Sequence, residues 1–121
     1  MSINCKIYTP KETVRELLSY NGYKGKRILK KYVIDNSCGQ GAILGDVVNT
    51  YIKVAKKNKI ALSEIKTHLE EYIHGYDIDE DSIIKCKDKL NSICELYNIN
   101  SLVSFFVTQN NLNNCCLFLS A

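Results

Sequence analysis

Tyr32-Val33-Ile34-Asp35-Asn36-Ser37-Cys38-Gly39-Gln40-Gly41-Ala42-Ile43-Leu44 decides how this chain is read. It opens as a short apolar run ending on an acid, the pattern of a buried strand with a carboxylate at its carboxyl end. It then breaks into a small-residue loop with two glycines and passes straight into helical spacing. Strand, glycine-rich loop and helix make the first βα turn of a doubly wound sheet, and ligands in such sheets bind outside the carboxyl ends of the strands. This reading puts Asp35 at that edge, with Gly39 and Gly41 letting the backbone turn sharply and approach a ligand.

The details of the loop narrow the ligand. A dinucleotide site uses G-x-G-x-x-G, whose third glycine eases helix–strand packing while the helix amino end faces a pyrophosphate. Here Leu44 stands at the third glycine's place and Gly45 comes one residue late. Asp35 would also repel a pyrophosphate, whereas it suits a ligand with a cationic group. The ligand indicated is a nucleoside carrying an amino-acid tail, S-adenosyl-L-methionine rather than NAD.

Asp35 to Leu44, D-N-S-C-G-Q-G-A-I-L, resembles motif I of the adenine-N6 DNA methyltransferases, whose usual form is D-P-x-C-G-S-G-x-F-L. Asn36 replaces the proline and Ile43 the phenylalanine. Upstream, Tyr8-Thr9-Pro10 is similar to motif X of the same enzymes, where the threonine lies against the cofactor's carboxylate. On the residues alone, Thr9-Pro10-Lys11-Glu12 reads as a capped helix start, with Val14, Leu17 and Leu18 as its apolar stripe. Downstream, Tyr72-Ile73-His74-Gly75-Tyr76-Asp77-Ile78-Asp79 reads as a second strand ending on an acid, as a ribose-binding strand does. Its G-Y-D-I-D is similar to motif II. The resemblance implies that Asp77 accepts from the ribose hydroxyls and that Ile78 packs on the adenine, while Asp79 caps the next helix. At the end of the third strand, Ser101 to Val107, the resemblance implies that Asn110 contacts the adenine amino group. The cofactor-binding set is thus Tyr8, Thr9, Pro10, Asp35, Ser37, Cys38, Gly39, Gly41, Asp77, Ile78 and Asn110.

Between these motifs, Ile43, Val47, Val48, Tyr51, Ile52 and Ala55 give a helix of about four turns. A second helix carries Ile65, Leu69 and Ile73, with Ser63 as its cap. A third, from about Asp81 to Tyr97, places Ile83, Ile84, Cys86, Leu90, Ile93, Cys94 and Tyr97 on one broad face. The fold expected is α/β, a Rossmann-like three-layer sandwich of the class I methyltransferase type, with an incomplete parallel sheet and helices on both faces. Residues 1–30 form its helical lead-in and residues 31–121 the core.

Composition sets the remaining bounds. The 121 residues, 45% hydrophobic and with a net charge of +3, suit one small domain or part of a larger one. Five of the eight residues from Lys24 to Lys31 are basic, read first as a solvated loop and strand entry, with a DNA phosphate contact as the lesser alternative. No apolar run reaches the length of a membrane span and no signal-peptide pattern opens the chain. Six cysteines form no C-x-x-C pair and read as reduced thiols of a cytoplasmic protein. No metal site is indicated.

The family's catalytic loop, N-P-P-Y, is absent, since Pro10 is the one proline. The resemblance therefore implies the cofactor-binding amino-terminal part of a longer restriction-modification enzyme, without catalytic residues of its own. DNA would be bound through a carboxyl-terminal part, and exposed sheet edges would pair with another copy or another chain. Two alternatives stay open. One is a catalytically inactive cofactor-binding or scaffold protein; the other is an RNA or protein methyltransferase sharing the same first half.

Overall fold

The computed structural model describes residues 2–4, 18, 22–109 and 116–119. In chain order come β1 (Ser2–Asn4), a 3-10 turn (Lys26–Ile28), β2 (Val33–Asp35), α1 (Ala42–Lys57), α2 (Leu62–Tyr72), β3 (Ile73–Asp77), α3 (Glu80–Leu96), β4 (Phe106–Gln109) and β5 (Cys116–Leu119). The strands form one sheet in the order β1-β5-β2-β3-β4. β2, β3 and β4 are parallel, with Asp35 opposite Gly75 and Asp77 opposite Gln109. β5 runs antiparallel to β2, and β1 antiparallel to β5. The chain is α/β around a three-stranded parallel sheet, and its two antiparallel pairings correct the expectation of a wholly parallel one.

Both crossovers, β2 to β3 and β3 to β4, step the same way across the sheet. Right-handed crossovers then place their helices on the same face. That face carries Val33, Asp35, Ile73, Gly75 and Val107, all buried, whereas Ile34, His74, Tyr76, Phe106 and Thr108 on the other are half-buried or exposed. Among the described residues the helices therefore cover one face, where helices on both had been expected.

α1 buries Leu44, Val47, Val48, Tyr51, Ile52 and Ala55 completely. This stripe repeats at three- and four-residue intervals and faces sheet and neighbouring helices together. Burial of each such aliphatic side chain contributes about 1.5–3 kcal/mol. α2 is fixed to α1 by a polar contact inside this core. The Tyr51 hydroxyl accepts from the Lys30 N–H at 3.1 Å and lies 2.9 Å from His68 Nδ1. Ser63 does not cap α2; the helix begins one residue earlier, with Ala61 at its cap, and Ser63 sits inside the first turn. α3 buries Ile83, Cys86, Leu90 and Cys94, while Ile84 is 54% exposed and so leaves the expected face. The third strand starts later than its apolar run suggests. Val103 and Phe105 are buried in the segment before it, with Val103 tied to Asn91 of α3 at 2.9 Å.

Among the described residues no helix is long and apolar enough to cross a membrane. Cys38, Cys86 and Cys94 are free and buried.

Candidate functional site

The parallel strands bring three chain segments to one edge. Asp35 ends β2, Asp77 ends β3 and Gln109 ends β4. The loop from Asn36 to Gly41 follows Asp35 and turns across toward β3. Two hydrogen bonds hold it there: the Cys38 N–H donates to the Tyr76 carbonyl at 2.9 Å, and the Gly39 N–H donates to Asp77 Oδ2 at 2.8 Å. Asp77 Oδ1 accepts from the Asp79 N–H at 2.9 Å. One carboxylate thus joins the glycine loop to the start of α3. Each of its oxygens keeps a second lone pair for a ligand hydroxyl.

Asp35 differs. It is 1% exposed, and its Oδ1 accepts from the Ser37 N–H at 3.0 Å. Its Oδ2 is buried with no hydrogen-bond partner. An oxygen in that state costs free energy, because water is gone and nothing replaces it. Burial pushes the Asp35 carboxyl from 3.8 up to about 6; the Ser37 N–H works against this and the nearby Asp77 charge adds to it. A cation placed against Oδ2 would restore the lost interaction and draw the carboxyl back down.

The loop ends on Gly41, at φ +93°, the residue that precedes α1. A side chain there would be strained, and its Cβ would stand 3.0 Å from the Cys86 sulfur on α3. Cys86 lies beside Cys38, and that neighbour, with burial, raises the Cys38 thiol far above its ordinary value. Cys38 is therefore a neutral packing group beneath the loop and not a nucleophile.

The packing reason for Leu44 lies on the neighbouring strand. A Cβ built at Gly75 would stand 2.7 Å from Leu44 Cδ1 and 3.2 Å from the Cys38 sulfur. Close helix–strand approach is retained with the small residue moved from helix to strand. Gly45, one residue late for the dinucleotide pattern, faces α3 instead, where a Cβ would meet Lys89 and Ile93 at 3.2 and 3.3 Å.

Of the sequence-predicted set, Asp35, Ser37, Cys38, Gly39, Gly41, Asp77 and Ile78 meet at this edge. Ile78 is 57% exposed there, an apolar side chain open to a ligand. Asp79 caps α3 as expected, accepting from the Asp81 N–H at 3.2 Å and from the Ser82 hydroxyl at 2.8 Å. Tyr8, Thr9, Pro10 and Asn110 lie outside the described residues. Gln109 was not anticipated; its Nε2 donates to the Ile78 carbonyl at 3.1 Å, leaving the amide oxygen as an acceptor at the end of β4. The polar close of an apolar run, Thr108-Gln109, is the signal that could have found it. The basic residues from Lys24 to Lys31 precede β2 and so lie at the opposite edge of the sheet, away from these groups. No group of three or more metal-binding side chains is found among the described residues.

No protein-family model matches this chain, and no curated protein matches it significantly.

Proposed function

We propose that this chain is the S-adenosyl-L-methionine-binding segment of an adenine-N6 DNA methyltransferase, a cytoplasmic enzyme of the restriction-modification type built on a Rossmann-like sheet. The observation that supports this reading most is the buried, unpartnered Asp35 Oδ2 beside a glycine loop tied to a second strand-end acid. A buried anion facing a loop of close-approaching backbone suits a ligand that carries its own positive charge. Pyrophosphate ligands do not fit that charge.

On this reading Asp35 orients the cationic amino-acid end of the cofactor, and Gly39 and Gly41 let the main chain lie close to it. Asp77 accepts from the ribose hydroxyls through lone pairs that the loop leaves unused. Ile78 covers one face of the adenine, and Gln109, the sequence neighbour of Asn110, offers an acceptor for the adenine amine. Bound cofactor supplies an activated methyl group, and these residues bind and orient it. Transfer to DNA would need the N-P-P-Y loop that this chain lacks.

A non-catalytic cofactor-binding protein is the second reading, and one observation favours it. β5 occupies the place beside β2 in antiparallel sense, with Leu117 opposite Asp35. A catalytic loop following a parallel strand would have to use that same place.

Calorimetric titration with S-adenosylhomocysteine tests the cofactor site. Saturable binding that Asp35→Asn and Asp77→Ala both weaken is expected. A folded chain that binds no cofactor would remove the proposal. Binding without methyl transfer by the full gene product would select the second reading.

A further inference from the structure

The described cations are not spread evenly over the fold. Lys24, Lys26, Arg27 and Lys31 precede β2, and all four are exposed. Lys53, Lys56, Lys57 and Lys59 stand at the carboxyl end of α1 and just past it, exposed as well. Together these two groups hold half of the 16 Lys and Arg residues of the chain. Neither segment 22–34 nor segment 47–63 contains an Asp or a Glu. Lys30 stands apart, because it shares a groove with Glu64 and Glu71 of α2.

Folding brings the two segments to one edge of the sheet. The 3-10 turn packs on α1, Ile28 enters the same core, and the Lys30 N–H donates to the Tyr51 hydroxyl of α1. A crossover helix returns from the carboxyl ends of the strands toward their starts. α1 thus delivers its lysines to the edge where β2 begins. None of the eight cations forms an ion pair with another described residue. Lys56 Nζ lies 5.7 Å from the centroid of the Tyr97 ring, a contact that leaves its charge in place.

The opposite edge is acidic, with Asp35, Asp77, Asp79, Glu80 and Asp81 at strand ends and at the start of α3. Like charges gathered on one surface repel each other, and a polyanion relieves that repulsion. Double-stranded nucleic acid offers matching charge, about one phosphate per 1.7 Å of helix axis. A membrane surface would use open apolar side chains set among the cations. On these two segments Tyr32 and Leu62 are the exposed large hydrophobics, at 42% and 36%.

We propose that the sheet edge at the start of β2 binds the phosphate backbone of double-stranded nucleic acid through the cations of these two segments. Such a contact positions the duplex and reads no base sequence. It rests on the placement of charge and not on the cofactor reading.

The test is fluorescence anisotropy of labelled DNA and RNA duplexes of about 20 base pairs, two helical turns, titrated with the 121-residue chain. Saturable binding that is alike for unrelated sequences and weakens as salt rises is expected. Lys53→Glu with Lys57→Glu should lower affinity at least about ten-fold and reduce the slope of log affinity against log salt by about 2. Lys85→Glu with Lys87→Glu on α3 changes net charge equally but lies outside both segments. It should leave affinity within about two-fold. Lys26→Glu with Arg27→Glu should match the α1 variant, and replaces it if that variant loses the circular dichroism of the parent. The duplex held more tightly identifies the DNA or RNA source. Four results would overturn the proposal. They are no saturable binding, an unchanged salt slope in the α1 variant, an equal loss in the α3 variant, which would mean net charge alone, and tighter binding to phosphatidylserine vesicles than to either duplex, which would assign the edge to a membrane. An unchanged S-adenosylhomocysteine titration in Lys53→Glu with Lys57→Glu separates this edge from the cofactor site.

Discussion

Asp35 and Asp77 end adjacent parallel strands, yet their surroundings are opposite. Asp35 is buried, with one oxygen unpartnered and its carboxyl pushed up to about 6. Asp77 is half-buried, and both its oxygens accept main-chain N–H groups of the segments that flank the site. The same residue type in the same topological place therefore does different work. Asp77 builds the site, because removing it would leave two N–H groups without acceptors. Asp35 is built into the site at a cost, because its unmet oxygen lowers the stability of the ligand-free chain.

Substituting the two acids separates these roles. Asp35→Asn should reduce S-adenosylhomocysteine affinity about a hundred-fold, since a buried charge partner is worth roughly 2–5 kcal/mol. The same change should stabilise the ligand-free chain at pH 7 by about 1 kcal/mol, because the charged form no longer has to be buried. A thermal melt read beside the titration checks both signs, and a fall in melting temperature would refute the cost assigned to Asp35. Asp77→Ala should do the reverse to stability. It should lower it by about 1–3 kcal/mol, the penalty for unsatisfied main-chain donors, and weaken binding as the loop loosens.

The difference also sets a pH dependence. The folded pKa of Asp35 lies above its unfolded value, so its contribution to stability is fully present below about 3.8 and is lost as pH rises through about 6. Cofactor binding should run the other way, because it needs the ionised form. Affinity should fall about ten-fold between pH 7 and pH 5 in calorimetric titrations, and this dependence should vanish in Asp35→Asn. The smallest expected effect belongs to Asp79, which caps α3 just beyond Asp77. Asp79→Ala should cost about 1 kcal/mol in denaturant unfolding and leave cofactor affinity unchanged. A change in affinity there would mean that the site extends past the strand end.

Much of this arrangement is legible in the chain. The apolar run into Asp35, the two-glycine loop and the helical spacing after it mark β2, the turn and α1 without any tertiary information. Asp79 and the acids that follow it announce the start of α3 through capping chemistry alone. Ser63 misleads because a residue with capping chemistry can equally sit in a first helical turn, and Ala61 takes the cap with no side-chain bond. Ile84 misleads because a broad apolar stripe does not say which of its edges meets the core.

The sequence by itself determined the elements and the placing of acids and glycines at their ends, because these follow from local backbone preferences and periodicity. Tertiary structure alone decided what those residues do. Leu44 fits against β3 only because Gly75, on a strand distant in sequence, lacks a Cβ. One Asp35 oxygen stays unpartnered while both Asp77 oxygens are met only because the folded loop delivers the Ser37 N–H to Asp35 Oδ1 and the Gly39 N–H to Asp77 Oδ2, and brings no donor to Asp35 Oδ2. Burial and hydrogen bonding depend on which distant segments meet, and sequence spacing does not encode that.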